Sequence, residues 1–394
     1  MILDGIAWVD CFAFLLFLAP QLIFHVGIFR TAICGIRALP FLLLRLPYEL
    51  IKERYWLSRT SRSPFVQQCT PFQDLVIRCV RYAFAKIPAS IGKVFFSKWV
   101  ALPFIKFRML RHGILKSPIF WREVDQVGLR GLYIVHDVAC RPDIIVYYCH
   151  GGGFSMGSSY FYLEFLMVWI SLLKEAGYSN PAVFALEYTL VPEGTYPTQV
   201  QQTLVGYKYC LQIVEDSNRI CVSGDSAGGT LILSLMLCLS NYSSLKKQMP
   251  GVAILISPWT MVISPKNQNT SSDYLSAESL ELYGRQYLGS KATAKDSLAS
   301  PGQCEDFAWW KRASPSKGWF FIYGAEEVFA PGIKDTIRLI TKSGAEVSQH
   351  EEVGWIHAWP VVRLFLCNDR RERCRGLKSI VDFTRSRIGP KTAL

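Results

Sequence analysis

The sequence predicts an α/β protein in which a mostly parallel central sheet is flanked by helices. After residue 120, short apolar runs of strand length alternate with longer helical patterns, as the crossover connections of a parallel sheet require. The chain has 394 residues, 50% of them hydrophobic, which is enough to bury one large core with some chain left over. Seven runs are predicted to be strands: residues 131–136, 144–149, 182–186, 219–223, 252–256, 319–323 and 345–350.

The remaining segments divide the chain into three regions. Helices are predicted between the strands at residues 162–176, 198–214 and 227–239. Residues 265–316 are polar and irregular, with one helix near 277–287, and we interpret them as an excursion between two strands. We therefore expect a membrane anchor with a basic segment at 1–60, a helical cap at 61–120 and the main α/β domain at 121–394.

The first region contains an apolar run that predicts a membrane anchor. Residues 11–29 carry no charge other than a protonated His25, and about 20 such residues cross a bilayer as a helix. Asp4 and Asp10 precede this run, whereas a cleaved signal peptide has Lys or Arg there. An amphipathic or hairpin segment in one leaflet is the alternative, because Pro20 would kink a spanning helix and residues 39–46 are also apolar.

The charge pattern favours lipid over nucleic acid as a partner. The formal net charge is +12, and no aromatic RNA-binding signature or zinc-finger spacing accompanies the basic residues. Many of these residues follow the apolar run, where they would meet lipid headgroups. They include Arg30, Arg37, Arg45, Lys52, Arg54, Arg59 and Arg62.

Membrane topology stays open at this point. Positive charges after the run favour a cytosolic main domain, whereas glycosylation of the sequons at Asn241 and Asn269 would require a luminal one. An endoplasmic reticulum location is compatible with either. The twelve cysteines include no CxxC pair, so neither a zinc site nor a disulfide scaffold is expected.

The cap is predicted from apolar residues at helix-like spacing between Lys and Arg residues. We expect amphipathic helices here that cover a site. The apolar positions are Phe84, Ile87, Ile91, Val94 and Phe95.

Gly224, Asp225, Ser226, Ala227 and Gly228 form a GxSxG pentapeptide between an apolar strand and an apolar helix. A serine at such a sharp strand-to-helix turn has strained backbone angles and an exposed Oγ, and the flanking glycines let the chain pass closely on both sides. This context indicates a nucleophilic serine. An ordinary glycine-rich turn is the alternative.

A second glycine-rich segment, His150-Gly151-Gly152-Gly153, follows the strand IIVYYC. Glycines allow backbone amides to point at a developing oxyanion, which acyl transfer requires. A phosphate-binding loop would end in Lys-Ser/Thr, and that ending is absent from the sequence.

The order and content of three motifs resemble the hormone-sensitive-lipase-like branch of the α/β hydrolases. HGGGF begins at His150, EYTLVPEGTYPTQVQQ spans residues 187–202, and GDSAGG begins at Gly224. SPW at Ser257 and ASP at Ala299 also fit, so the resemblance covers residues from about 130 to 365. The N-terminal extension further resembles anchored fungal members related to steryl acetyl hydrolases.

The resemblance implies the α/β-hydrolase fold with Ser226 as nucleophile. It also implies that His150 organises the glycine loop and does not act as a base. The amides implied to form the oxyanion hole are those of Gly151, Gly152, Gly153 and Ala227.

The catalytic base and acid are also implied by the resemblance. The family's base is a late histidine in an HxF/W setting, which His357 matches, with His350 as the alternative. Where the family usually has Asp, the sequence reads GAEEVFAPG, so Glu327 takes the place of the acid, with Glu326 and Asp335 as alternatives. Glutamate serves as the acid in some triads of this fold.

Together these residues predict a serine hydrolase that cleaves carboxylic esters of an apolar substrate, such as a sterol ester, a lipid or an acylated secondary metabolite. Such a triad needs no metal or organic cofactor. Two alternatives stay open: an acyltransferase or amidase that uses the same acyl-enzyme, and a non-catalytic ligand-binding homologue. The sequence gives no indication of the oligomeric state.

Overall fold

The computed structural model of the chain describes residues 2–242, 245 and 247–391. The sequon at Asn241 ends at Ser243, which lies outside the described residues, as do residues 392–394 of the predicted main domain. Asn269 of the second sequon is exposed, and its side-chain amide donates to Glu278 at 3.1 Å.

The centre of the molecule is one sheet of eight strands. They are β1 (Phe120–Gln126), β2 (Leu129–Val135), β3 (Ile144–Cys149), β4 (Pro181–Leu186), β5 (Ile220–Asp225), β6 (Val252–Ile256), β7 (Trp319–Gly324) and β8 (Val347–Glu352). The strand order is β1-β2-β4-β3-β5-β6-β7-β8. β2 is antiparallel to β1 and β4, and all other neighbours are parallel. The predicted mostly parallel sheet is confirmed.

Helices precede the sheet and cover its faces. They are α1 (Trp8–His25), α2 (Ile28–Pro40), α3 (Leu46–Ile51), α4 (Pro64–Gln68), α5 (Pro71–Lys86), α6 (Ala89–Phe95), α7 (Lys98–Arg111), α8 (Leu163–Glu175), α9 (Thr198–Val214), α10 (Ala227–Asn241), α11 (Ala277–Leu288), α12 (Phe307–Ala313), α13 (Ala330–Lys342), α14 (Trp359–Leu366) and α15 (Arg370–Arg387). The three helices predicted between strands correspond to α8, α9 and α10.

The two central strands that precede the glycine motifs lie side by side. β3 and β5 are buried along their whole length, which explains why both are apolar. They pair in parallel with Cys149 opposite Gly224. Because both strands end at the same edge of the sheet, the glycine loop after β3 and the serine turn after β5 are neighbours.

Two elements differ from the sequence prediction. β1 was not predicted, because its sequence FWREVDQ is mostly charged and only Val124 is fully buried. It forms an edge strand, whose outer side faces no partner in the sheet. α12 lies within residues 265–316, which we had interpreted as irregular apart from one helix.

The regions before the sheet are helical, as expected. A π-helical turn at Phe41–Arg45 joins α2 to α3, and a second one at Lys52–Trp56 extends α3, so residues 28–56 form one continuous helix. α4 to α7 occupy the predicted cap region. α5 begins with a capping box, in which the Thr70 hydroxyl accepts from the Gln73 amide at 3.2 Å and the Gln73 side chain accepts from the Thr70 amide at 2.8 Å.

α1 is the one helix among the described residues that is long and apolar enough to cross a bilayer, judged by length and composition. Most of its surface is exposed to solvent. This feature is compatible with the predicted anchor, and an N-terminal signal sequence has the same properties.

Candidate active site

The turn between β5 and α10 holds Ser226 in a strained conformation. Its φ is 52° and its ψ is −119°, in a region that residues other than glycine rarely adopt. A Cβ on Gly224 would lie 2.6 Å from the backbone of Gly228, and a Cβ on Gly228 would overlap the carbonyl oxygen of Cys149. The Ser226 amide donates to the Ile256 carbonyl at 3.1 Å. These contacts explain why glycines flank the serine.

Asp225 ties this turn to the glycine loop. Its buried carboxylate accepts from the Gly151 amide at 2.8 Å, from the Tyr148 hydroxyl at 2.6 Å and from the Tyr162 hydroxyl at 2.7 Å. Burial raises the pKa of Asp225 to about 6, and the three donors act against that shift. Because the amide hydrogen of Gly151 is already used, Gly151 is not available to an oxyanion, and our expectation for this residue is corrected.

The other three predicted donors point at no acceptor. Across residues 2–242, 245 and 247–391, the amides of Gly152, Gly153 and Ala227 have no hydrogen-bond partner. Gly152 and Gly153 have φ of 113° and 61°, which glycine adopts without strain. Ala227 is the first residue of α10, so the positive end of a helix dipole lies behind its amide. Such a group of donors can stabilise a negative oxygen.

His150 is buried within the glycine loop. Its Nδ1 donates to the Gly151 carbonyl at 2.7 Å, and its ring stacks on Tyr188 with centroids 4.3 Å apart. The Tyr188 hydroxyl donates to the His150 carbonyl at 2.8 Å. Burial lowers the pKa of His150 to about 4. The His150 ring is therefore engaged in contacts within and beside the glycine loop.

Glu327 and His357 are close at the same edge of the sheet. Glu327 Oε2 lies 3.9 Å from His357 Nδ1, which is beyond hydrogen-bond length. The same oxygen accepts from Ser257 Oγ at 2.6 Å and from the Gly324 amide at 3.2 Å. Ser257 Oγ also accepts from the Ala358 amide at 2.9 Å. A single hydroxyl therefore fixes both the carboxylate and the backbone beside the imidazole.

Burial sets the protonation of this pair. The side chains of His357 and Glu327 are almost fully buried. Burial lowers the pKa of His357 to about 3, so the imidazole is neutral near pH 7. Burial, followed by the nearby Asp273, raises the pKa of Glu327 above its usual range, against the donors Ser257 and Gly324. A neutral imidazole is the form that accepts a proton from a hydroxyl.

The alternative base and acids differ from His357 and Glu327 in their contacts or in their burial. His350 lies on β8, where its Nε2 is 2.9 Å from Glu352. Asp335 is on α13 and forms surface ion pairs. Glu326 is partly exposed, whereas Glu327 is buried beside the imidazole.

Backbone contacts connect the acid–base pair with the serine turn. The Ser226 carbonyl accepts from the Trp259 amide at 2.9 Å, and the Ser226 amide donates to the carbonyl of Ile256, the residue before Ser257. Ser257 therefore lies between the two attachment points of Ser226 while its hydroxyl binds Glu327 and the residue after His357. The serine turn and the Glu327–His357 pair are thus linked through residues 256–259 at the carboxyl edge of the sheet.

Asp273 is a site residue that the sequence did not reveal. Its buried carboxylate accepts from the amides of Tyr274 at 2.8 Å, Val328 at 2.8 Å and His357 at 3.1 Å. Burial raises the pKa of Asp273 to about 6. Asp273 thus connects the loop that contains Glu327 with the loop that contains His357. No motif marks it, whereas Ser257 belonged to the SPW segment.

The cap region lies over this edge. The Phe84 ring of α5 is 5.5 Å from the Tyr274 ring, which in turn is 5.7 Å from the His357 ring. Ser226 itself is only 6% exposed. A cavity of about 620 Å³ lies beside the glycine loop, between the end of α1 and α6. Its lining includes His25, Val94, Trp99, Ser155 and Val191.

Comparisons with known proteins identify the family of this chain and some of its relatives. A family described as having the alpha/beta hydrolase fold matches residues 146–361. A Schizosaccharomyces pombe protein named as a steryl acetyl hydrolase is 29% identical over 199 residues, which are 48% of this chain and 52% of that protein. An acetyl-hydrolase of Streptomyces hygroscopicus is 25% identical over 218 residues, covering 54% of this chain and 67% of that protein. The match therefore spans about half of the length of the first of these relatives.

A solved structure has the same fold. It is the crystal structure of an esterase from the bacterial hormone-sensitive lipase family, with a TM-score of 0.63 and 22% sequence identity. The alignment covers 82% of this chain and 99% of that chain. At this identity the likeness concerns the fold alone.

Proposed function

Because this chain belongs to the α/β-hydrolase family, we propose that it is a serine hydrolase that cleaves carboxylic esters, with Ser226, His357 and Glu327 as its triad. The observation that best supports the proposal is that Ser257, which lies between the two backbone contacts of the strained Ser226 turn, binds the carboxylate of the imidazole–carboxylate pair. The proposed oxyanion donors are Gly152, Gly153 and Ala227.

The first half of the reaction forms an acyl-enzyme. His357 accepts the proton of Ser226 as Oγ attacks the ester carbon, and the three amides stabilise the oxyanion. Loss of one such donor typically costs about 3–4 kcal/mol of transition-state stabilisation. His357 then gives its proton to the leaving alkoxide, so the alcohol departs neutral.

The second half releases the acid. A water molecule gives its proton to His357 and attacks the acyl carbon, after which Ser226 recovers its proton. Glu327 acts when the imidazole is charged. The 3.9 Å between the two groups closes to a hydrogen bond as the imidazolium forms, since the attraction between opposite charges is strong in a buried site.

An apolar ester is the substrate class that we propose. Phe84 of the cap region packs on Tyr274, whose ring lies next to that of His357. The cavity beside the glycine loop, whose lining residues do not include the triad, has a mostly apolar surface. The name of the Schizosaccharomyces pombe relative refers to steryl acetate, which belongs to this class. Sterol esters, acylated lipids and acylated secondary metabolites are the compounds to assay first.

Covalent labelling tests the nucleophile. A fluorophosphonate probe is expected to label the wild-type chain, and Ser226→Ala is expected to abolish both labelling and ester hydrolysis. Ser234→Ala is the matched control, because Ser234 is a buried serine of the same helix whose hydroxyl bonds only to the Thr230 carbonyl. A folded wild-type protein that is not labelled would instead favour a non-catalytic ligand-binding protein.

An assay with added acceptors separates hydrolysis from acyl transfer. With an apolar ester in buffer, free acid should be the main product. If an added alcohol or amine takes most of the acyl group, the enzyme is an acyltransferase; if amides are cleaved in preference to esters, it is an amidase. Either result would contradict the proposed ester hydrolysis while leaving the acyl-enzyme in place.

A further inference from the structure

We propose that α1 and the helix of residues 28–56 form a monotopic surface that lies within one leaflet of a bilayer containing anionic lipids. We call the outward side chains of residues 8–56 the apolar helical face. This docking mode differs from a single spanning anchor, because both helices would lie along the membrane plane.

The apolar helical face exposes more hydrophobic surface than a water-soluble domain normally does. Most of the large apolar side chains that are exposed among the described residues lie within it. Contiguous exposed apolar surface of this kind marks a protein or membrane contact. The members that are about two-thirds exposed or more are Phe12, Leu16, Phe24, Phe29, Leu43, Leu44, Tyr55 and Trp56.

α1 has protein along one side for its whole length. At its start, Asp10 is fully buried and accepts from Arg108 of α7 at 3.1 Å. In its middle, the Phe14 ring is 5.0 Å from the Phe104 ring, and further on Leu18 packs into a buried cluster with Val94 and Val100 of α6 and α7. α1 therefore runs antiparallel to α7 and is docked on it.

This docking argues against a spanning α1. A helix that crosses a bilayer alone is surrounded by lipid, so α1 would have to leave α7 or take α7 with it. If α1 left α7, the buried Arg108 would lose its ion pair with Asp10, although it would keep its two 2.9 Å bonds to Glu164 of α8. Taking α7 along would place its exposed Lys106 and its half-buried Lys98 at bilayer depth, which is costly.

The charges on and beside the face favour an anionic bilayer as its occupant. The acidic side chains of residues 8–62 are Asp10, Glu49 and Glu53, and each is ion-paired. Several exposed basic side chains have no ion pair within the described part of the chain, so the free charge here is positive. Basic residues next to apolar surface are attracted to anionic headgroups. The exposed basic residues without an ion pair are Arg30, Arg37, Lys52 and Arg59.

If the proposed function holds, the cavity next to the apolar helical face offers a route for the substrate from the membrane. His25 at the end of α1 and Trp99 of α7 line its membrane side, and Ser155 and Val191 line the side next to the glycine loop. An ester dissolved in the leaflet would meet this cavity without first entering water.

Flotation with vesicles tests the docking. The full-length chain should float with vesicles of phosphatidylcholine and phosphatidylserine, and less with phosphatidylcholine alone. The double variant Leu16→Asp, Phe24→Asp should lower the bound fraction by about tenfold or more, because two apolar side chains leave the contact. Val127→Asp is the matched control, since Val127 is fully exposed at the turn between β1 and β2.

Two ester substrates separate this proposal from the catalytic one. The double variant should hydrolyse a short water-soluble ester as fast as wild type, which also shows that it is folded. Its hydrolysis of an apolar ester held in vesicles should fall with the bound fraction. If it floats like wild type, the docking surface is wrong; if wild type hydrolyses neither ester, the catalytic proposal fails and flotation still decides the docking.

Cysteine labelling in sealed vesicles distinguishes in-plane from spanning attachment. In a Cys140→Ser background, which removes the exposed native cysteine, Asp4→Cys and Arg30→Cys mark the two ends of α1. Both should react with a membrane-impermeant maleimide from the same side without detergent. If one of them reacts only after detergent is added, α1 crosses the bilayer and the proposal is overturned.

Discussion

At Glu327 the carboxylate that faces the imidazole is one methylene longer than the aspartate usual in the resembled family. The extra length is accommodated because Oε2 is held by Ser257 and by the Gly324 amide. The group is therefore oriented before the imidazole becomes charged. The donors around Glu327 therefore distinguish it from its neighbour Glu326.

Neutralising this carboxylate should slow the reaction strongly. We expect Glu327→Gln to lower kcat by a factor on the order of 10²–10⁴, since an uncharged partner no longer stabilises the imidazolium. Glu326→Gln should leave kcat unchanged, because Glu326 is partly exposed and does not contact the imidazole. Steady-state kinetics with a soluble ester measure both. Equal losses in the two variants would mean that the acid is misassigned.

The pH profile should extend to acid pH. Burial lowers the pKa of His357 to about 3, and only the neutral imidazole acts as a base. Protonation of His357 should therefore remove activity at a lower pH than it would for an ordinary histidine. The acidic limb of kcat/KM should therefore have its midpoint below about pH 6.5. Circular dichroism over the same range controls for unfolding. A midpoint above pH 7 with the fold intact would contradict the prediction.

Site residues differed in how far the sequence predicted them. Ser226 was predicted from its GxSxG turn and His357 from the HxF/W setting of the resembled family, and their catalytic roles belong to the proposed function. Asp273 binds backbone amides from two loops that are far away in the chain. Such a contact leaves no local pattern. Gly151 belongs to the right motif, yet its amide serves Asp225, which a glycine run alone does not indicate.

At the scale of elements, apolar periodicity predicted those strands and helices that bury a whole face. β1 was not predicted, because this edge strand has few buried residues and several exposed charges and so lacks an apolar pattern. The apolar character of α1 was recognised, but not its docking on α7, since the partners of Asp10 lie about a hundred residues away.

The ion pair between these helices should contribute strongly to stability. Asp10 and Arg108 are both fully buried, and Arg108 keeps its two bonds to Glu164 when Asp10 is removed. We therefore expect Asp10→Ala to lower the free energy of unfolding by about 1.5–3 kcal/mol in denaturant titrations, the usual cost of losing a hydrogen bond to a charged group. Arg45→Ala breaks an exposed pair with Glu49 and should change it by less than about 1 kcal/mol. Similar values for the two variants would show that α1 is loosely attached.

At the scale of the whole molecule, the first 60 residues are part of the packed structure as well as the predicted anchor region. Deletion of residues 2–60 uncovers Val94 and Val100 and removes Asp10 from Arg108. The shortened chain should unfold at a lower temperature than the full chain, measured in the same detergent. The full-length Leu16→Asp, Phe24→Asp variant should keep the wild-type midpoint. An unchanged midpoint after deletion would identify the segment as a dispensable tether.

The pairing of Cys149 with Gly224 limits how the two strands beneath the site can change in evolution or engineering. Insertion or deletion of one residue in β3 alone would shift the following loop by about 3.3 Å and turn its side chains to the opposite face. The amides of Gly152 and Gly153 would then no longer lie where the proposed mechanism needs them, next to the serine turn. Length variants should therefore be tolerated in the loops on the far edge of the sheet but not within these two strands.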